Sequence, residues 1–256
     1  ASRLDSDEGA LEYKLFIPST YDGSPMPLIV MLHGCGQDAD DFACGTRMNE
    51  IAEENRCLVA YPEQSRRANG KNCWNWFDGS NHERGQGEPA LIAAVTRKIL
   101  GEYAVDKQRV WVAGLSSGGA MAVILSRTYP DLFAAAGCHS GMAHGSASDL
   151  YGAMRAMREG VSKAPATGSL TAASVPIIVF HGDVDFTVHV RNSASVVRQL
   201  INSYAAQRSR RGEVAKVALS KQIGRTTGRS FTRDIHRGTG GKVVAEQWTV
   251  HGAGHA

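Results

Sequence analysis

Short continuous apolar runs, each closed by glycine, proline or polar residues, recur along the chain. Pro27-Leu28-Ile29-Val30-Met31-Leu32, Cys57–Tyr61, Val110–Ala113, Phe133–Cys138 and Val175–Phe180 are too short for ordinary helices and rich in branched side chains. Runs of that kind predict strands buried on both faces, as in a parallel sheet. Leu11–Ile17 alternates and predicts an earlier strand, ended by Pro18. Between the strands the period changes. Thr46–Asn55 (Met48, Ile51, Ala52) and Asn192–Gln207 carry helical spacing, and a short helix is expected around Leu150 to Arg158. Glu88–Tyr103 has Pro89 in its first turn and Leu91, Ile92, Val95, Ile99 and Leu100 on one face, a strong helix signal. Ser230–His236 and Val243–Val250 read as strands joined by Gly238-Thr239-Gly240-Gly241, and residues 143–174 are otherwise low in pattern. Strands alternating with helices predict an α/β fold with a mainly parallel central sheet flanked by helices. No repeat or linker divides the chain, so residues 1–256 are expected to form a single domain.

Composition narrows this only slightly. A chain of 256 residues, 43% hydrophobic and 21% charged, suits one domain with a full core. Nothing approaches 18 consecutive apolar residues, so no membrane-spanning helix is expected. The chain starts at Ala1 with no signal-like segment and is expected to be a processed or trimmed form. Net charge is +3, too mild to name a partner, and no nucleic acid is expected. Its distribution says more: from Arg208 to Lys242 there are ten Lys or Arg residues against Glu213 and Asp234. Such a run is first a solvated surface, and second a track for a polyanion. Five cysteines leave one over, and with no C-x-x-C pair the zinc and thioredoxin-like readings fall away. A Cys35–Cys73 disulfide, implying an oxidising compartment, and a Cys44–Cys57 pairing both stay open.

One stretch concentrates chemistry. Val110-Trp111-Val112-Ala113 leads into Gly114-Leu115-Ser116-Ser117-Gly118, and a small-residue helical run follows at once. Strand, sharp turn, helix is the setting a G-x-S-x-G serine needs in order to act as a nucleophile. In open α/β sheets, reactive groups gather at the carboxyl ends of strands. Here those ends carry His33-Gly34-Cys35, Ser116, Asp183 with Asp185, and His255, in the order serine, acid, histidine. A serine hydroxyl needs a base to take its proton, and the imidazole needs a carboxylate to fix its tautomer. Ser116, Asp185 and His255 are therefore expected as nucleophile, acid and base. Asp183, directly after Gly182, is expected to brace its own turn through backbone amides. His251 and His255 have the spacing of helical metal ligands, but the glycines between them argue against a helix, so no metal or cofactor is expected. His33 and His181 read as structural. The oxyanion donors are expected to be the backbone amides of Cys35 and Ser117. Long loops tend to be functional, and the one from Pro62 to Gly87 holds Cys73-Trp74-Asn75-Trp76-Phe77. Trp74 and Trp76 either pin this loop to the core or form a substrate platform, and they are expected as substrate contacts, with His139, Met142, Arg229 and Arg233 as further ones.

The stretches MLHGCGQDADDFACGTRMNEIAEEN, YPEQ, CWNWF, RVWVAGLSSGGAMAVILSRTYPDLFAAAGCHSG, VFHGDVDFTVH and WTVHGAGHA together resemble the polyhydroxybutyrate-depolymerase-type esterases, which include feruloyl-esterase-like members. The resemblance runs across nearly the whole chain. It implies an α/β-hydrolase fold, a secreted or periplasmic serine hydrolase, and the triad and oxyanion residues already named. The implied substrate is polymeric or an aryl ester. Bacterial poly(aspartic acid) hydrolases look like this family too, which makes a polyanionic amide substrate the alternative. A binding module that kept the fold without catalysis is the remote third. Family members continue past Gly-His-Ala with a tryptophan, a glycine-rich loop and a final helix, so that C-terminal helix is expected to be absent from the chain as given.

Overall fold

Alternation along the central strand decides which helices cover which face of the sheet. The computed structural model describes residues 2–6, 9–161, 175–226 and 228–255. Its strands are β1 (Ser2–Ser6), β2 (Gly9–Phe16), β3 (Met26–Leu32), β4 (Leu58–Glu63), β5 (Val105–Leu115), β6 (Ala135–His139), β7 (Ile177–Gly182), β8 (Ala218–Arg225), β9 (Ser230–Arg237) and β10 (Val243–Val250). Its helices are α1 (Ala39–Thr46), α2 (Met48–Asn55), α3 (Gly87–Glu102), α4 (Ser117–Thr128), α5 (Leu150–Glu159) and α6 (Arg191–Arg210). Leu28, Val30 and Leu32 of β3 point into the larger core with Ile92, Val95 and Ile99 of α3, Met121 and Leu125 of α4, and Val196 and Leu200 of α6. Met31 points the other way, into a smaller core with Phe42 of α1, Ala52 of α2, and Val59 and Tyr61 of β4. A strand buried on both faces reads as an unbroken apolar run for this reason.

The strand order is β1-β2-β4-β3-β5-β6-β7-β10-β9-β8. From β4 through β10 every neighbour is parallel. Antiparallel strands extend each edge: β1 and β2 on one side, β9 and β8 on the other. The mainly parallel centre with flanking helices is as expected, and β1 and β8 are additions that the apolar pattern did not announce. β8 is exposed along most of its length, so no burial pattern marks it. The helix expected over Thr46–Asn55 is α2 alone from Met48. Arg47, at φ 51°, breaks it from α1, which Asp38 caps by accepting from the Asp41 amide at 2.9 Å. Phe133 lies ahead of β6 and is buried in the main core. Residues 162–174 of the low-pattern stretch lie outside the described residues.

Leu28→Ala is expected to cost about 2–5 kcal/mol of stability through the cavity it leaves. Ile223→Ala on the exposed face of β8 should stay within about 0.5 kcal/mol. Urea midpoints at constant slope would check both values.

Candidate active site

Ser116 sits where β5 turns into α4, with φ 57° and ψ −116°. A non-glycine residue in that region stores about 1–3 kcal/mol of strain, which the surroundings must hold in place. The holding is visible. The Ser116 amide donates to His139 O at 2.8 Å, and its carbonyl accepts from the Ala120 amide at 2.9 Å. A Cβ on Gly118 would come within 2.5 Å of His33 O and closer still to Leu32 O. A Cβ on Gly114 would strike Gly118 O and reach Leu32 O at 2.8 Å. The two glycines let the start of α4 press onto the end of β3. Every residue of α4 is buried, so the helix axis is fixed as well.

The acid and the base meet at the ends of β7 and β10. Asp185 is buried, and its Oδ2 is 2.8 Å from His255 Nδ1 and 3.2 Å from His181 Nε2. Its Oδ1 accepts from the Thr187 and Val188 amides at 2.9 and 2.8 Å. Burial pushes the Asp185 carboxyl up, but the Val188 amide, the hydrogen bond and charge of His255 and the Thr187 amide outweigh it. The net result lies below the usual carboxylate range. His255 Nε2 has no hydrogen-bond partner among the described residues, and no hydrogen bond joins it to Ser116 Oγ. Catalytic contacts are often this loose before substrate arrives. His251 is the contrasting case. Its Nδ1 lies 2.7 Å from Asp183 Oδ2 and its Nε2 2.9 Å from Thr232 Oγ1, so both ring nitrogens are occupied. Asp183 corrects an expectation: it does not brace its own turn but the 251–252 loop, accepting from the Gly252 amide at 2.7 Å. Asp185 does the turn-bracing, since two amides of its own loop point at it.

Among the described residues, the amides of Ser117 and Cys35 have no hydrogen-bond partner. Ser117 is the first residue of α4, so its amide has no intrahelical acceptor, and the Ser116 carbonyl of the same peptide is locked into the helix. The Cys35 amide shares its peptide with the Gly34 carbonyl, which lies 2.8 Å from His33 Nδ1. The Gln64 amide donates to His33 Nε2 at 3.0 Å, so Nδ1 carries the proton and donates to Gly34 O. In a planar trans peptide, fixing the carbonyl aims the opposing Cys35 N–H. His33 and His181 are thus backbone-bonded, His181 through Val188 O at 2.7 Å, and burial lowers the pKa of both. Cys35 and Cys73 form a disulfide. The alternative Cys44–Cys57 pair does not form: Cys44 is an exposed thiol and Cys57 a buried one.

A family model described as esterase PHB depolymerase matches residues 11–217, which include Ser116 and Asp185 and stop short of β8 and His255. The chain belongs to the esterase PHB depolymerase family. It is similar to the poly(3-hydroxyalkanoate) depolymerase C of Paucimonas lemoignei, 28% identical over 263 residues covering 99% of this chain and 60% of that protein. It is also 28% identical to the feruloyl esterase B of Neurospora crassa, over 255 residues covering 94% of this chain and 81% of the relative. The chain thus spans less than two thirds of the first relative and about four fifths of the second. The structure of an acetyl xylan esterase from Aspergillus awamori superposes with a TM-score of 0.78 at 18% identity, covering 100% of this chain and 94% of that one. That likeness speaks to the fold, which is the α/β-hydrolase fold. Family membership also agrees with the expected enzyme class, a serine hydrolase.

Several expected substrate contacts are buried or bonded within the protein. Trp74 and Trp76 are buried in the core rather than exposed as a platform. Trp74 Nε1 donates to His33 O at 3.1 Å, so this tryptophan pins its loop to the oxyanion loop. Met142 is likewise buried in the core. His139 is exposed, and desolvation, then His181 and His255, lower its pKa. Arg233 forms a two-pronged bond to Glu246 at 2.8 and 3.0 Å and lies over the Trp248 ring, while Arg229 donates to Gly252 O. Arg208 pairs with Glu213 and Arg237 donates to Gly241 O, so much of the basic run is engaged inside its own hairpin. Sequence reasoning missed Glu88. Its half-buried carboxylate takes hydrogen bonds from Gln64 Nε2 at 2.5 Å, Asn75 N at 2.7 Å and Asn75 Nδ2 at 2.6 Å. Burial raises its pKa against those bonds, and the cluster ties the Cys73 loop to the end of β4. Among the described residues, no group of three or more His, Cys, Asp or Glu could hold a metal.

The disulfide spans 38 positions and fastens one candidate oxyanion loop. Cys73→Ser is expected to lower stability by about 4 kcal/mol by the chain-entropy argument. It should also lower kcat by about 10-fold or more as the Cys35 amide loses its aim. Denaturant titration and ester turnover below the melting range would read the two effects separately.

Proposed function

We propose that this protein is a serine esterase that cleaves polymeric or aryl esters through an acyl-enzyme on Ser116. The observation that carries the reading is the contrast between the two histidines. His255 is held at Nδ1 by the buried Asp185 and keeps Nε2 free, on the same carboxyl edge of the sheet as the Ser116 elbow. In this reading Ser116 Oγ attacks the ester carbonyl carbon while His255 Nε2 takes its proton. The Asp185 carboxylate steadies the imidazolium that forms. The carbonyl oxygen becomes an oxyanion between the amides of Cys35 and Ser117. Collapse breaks the C–O bond, and the departing alcohol takes the proton from His255. A water molecule then repeats the attack on the acyl-serine with His255 as base, releasing the acid and restoring Ser116.

The substrate class rests on the relatives, one named for poly(3-hydroxyalkanoate) and the other for feruloyl esters. No observation favours the polyanionic amide reading, because Arg208 and Arg233 are spent on Glu213 and Glu246. The Cys35–Cys73 bond supports a secreted or periplasmic location.

Ser116→Ala is expected to cut kcat by about 10,000-fold or more with the urea midpoint unchanged. An organophosphate serine probe should label Ser116 in the native protein and leave the variant unlabelled. Turnover should be measured on short nitrophenyl esters, feruloyl esters, poly(3-hydroxybutyrate) and poly(aspartic acid), with the products sized. Cleavage of poly(aspartic acid) with no ester turnover would overturn the ester reading, and near-normal activity of Ser116→Ala would overturn the nucleophile.

A further inference from the structure

Besides the Asp185–His255 pair, the same strand ends carry a second Asp–His pair that the proposed reaction does not use. His251 Nδ1 meets Asp183 Oδ2 at 2.7 Å, and Thr232 Oγ1 meets His251 Nε2 at 2.9 Å. The carboxylate only accepts, so His251 donates from Nδ1, and the threonine hydroxyl can donate to Nε2. The result is a continuous line of hydrogen bonds from the β7 loop to strand β9. Around it the backbone is held from both sides. The Gly252 amide donates to Asp183 Oδ1 at 2.7 Å, and the Gly252 carbonyl accepts from Arg229. The His251 amide donates to Ser230 O at 2.9 Å, and the Val184 amide to Ala253 O at 3.1 Å. A Cβ on Gly182 would come within 2.4 Å of Gly254 O and closer still to Ala253 O, so the two loops are pressed together.

Past Ala253 the described residues are tied by fewer hydrogen bonds. Among the described residues, the bond to Asp185 at 2.8 Å is the one hydrogen bond on the His255 side chain, and the Gly254 and His255 amides have none. Gly254 sits between, free of side-chain restraint. The aim of His255 therefore depends on where residues 251–253 are held, and those are held by Asp183, Arg229 and Thr232.

We propose that Asp183, His251 and Thr232 form a positioning relay that fixes the loop carrying His255, so that the β9 strand of the basic hairpin supports the catalytic base. These are positioning residues, not catalytic ones. The inference rests on the assignment of His255 as base. It gives the basic hairpin a task other than holding a polyanion, and it accounts for Arg229 by its bond to Gly252 O.

The test is a mutant cycle on the full chain with a short nitrophenyl ester. Asp183→Ala is expected to lower kcat by about 10-fold to 100-fold with KM within about twofold, since a small misplacement of a catalytic group costs that much. Asp183→Asn, nearly the same shape, keeps the test open should the alanine variant fold poorly, and it should show a smaller loss in the same direction. His251→Asn, which keeps a donor near the Nδ1 position, should retain more activity than His251→Gln. The deciding readout is the double variant. Asp183→Ala combined with His255→Ala should be no slower than His255→Ala alone, because a residue acting only through the base has nothing left to position. Additive losses would overturn the relay. So would a rise in KM at constant kcat, which would mark a substrate contact, or a fall in melting temperature at constant kcat, which would mark a brace without catalytic consequence. If His255→Ala alone keeps near-normal activity, or His251→Asn alone is as damaging as loss of a base, then the assignment of His255 fails instead, and the relay with it.

Discussion

The close approach of α4 to the end of β3 is the contact on which the site depends. It exists because Gly118 leaves no Cβ where Leu32 O and His33 O lie, and because Gly114 leaves none against Gly118 O. That contact holds Ser116 at positive φ and leaves the Ser117 amide at the open start of a helix. It also puts the Cys35 loop beside the elbow, since residues 33–35 follow directly from the strand that α4 presses upon. The positive φ of Ser116 and the open amide of Ser117 at the start of α4 are consequences of one steric allowance. A methyl group at either glycine would have to move backbone, not a flexible side chain.

Around that fixed point the loops are held to different degrees, and the differences follow function. The loop carrying Cys35, which the proposed reaction uses for its oxyanion, is secured by a disulfide, by Trp74 on His33 O, and by a neutral histidine locked between Gln64 N and Gly34 O. Its donors must be in place before charge develops, because reorganising them during the reaction would forfeit their value. The acid is equally rigid, with four hydrogen-bonding groups around one buried carboxylate. His255, the base of the proposed reaction, has one side-chain hydrogen bond among the described residues and a glycine before it. A group that must take a proton from one atom and give it to another gains from that freedom, provided its root is anchored.

Legibility in the sequence follows the same division. The parallel centre was readable because strands buried on both faces leave apolar runs, and the elbow because a sharp turn under a helix demands glycines in a set pattern. The edge strands were not, since β8 buries almost nothing and its residues carry no periodic signal. Trp74 and Trp76 stayed open between a core anchor and a substrate platform for a related reason. An aromatic residue in a long polar loop has the same local sequence whether it faces solvent or the core, and only the packing against Val30, Ile92 and their neighbours decides. The pairing of Asp183 with His251 and of Asp185 with His255 was legible only in half. Chain order placed the acids before the histidines, but two acids two positions apart and two histidines four apart allow more than one matching. The register of β10 beside β7 settles it in space, by setting Val250 against Gly182.

The basic run from Arg208 to Lys242 shows how charge in a sequence misleads when its partners are distant in the chain. Glu246 lies outside the run, yet it neutralises Arg233 through a fork of two hydrogen bonds while accepting from Trp248 Nε1 at 2.6 Å. Phe231 packs on the same Trp248 ring, with centroids 4.6 Å apart, and Phe180 of β7 stacks on it from 5.7 Å. The hairpin is therefore joined to the parallel centre by an aromatic and ionic seam that runs along β9, β10 and β7. A polymer drawn to this surface by its arginines would have to compete with carboxylates already in bidentate contact, which costs the full desolvation of the pair it breaks. Within the run, Arg233 helps to hold β9 against β10, and Arg229 holds the loop that leads to His255.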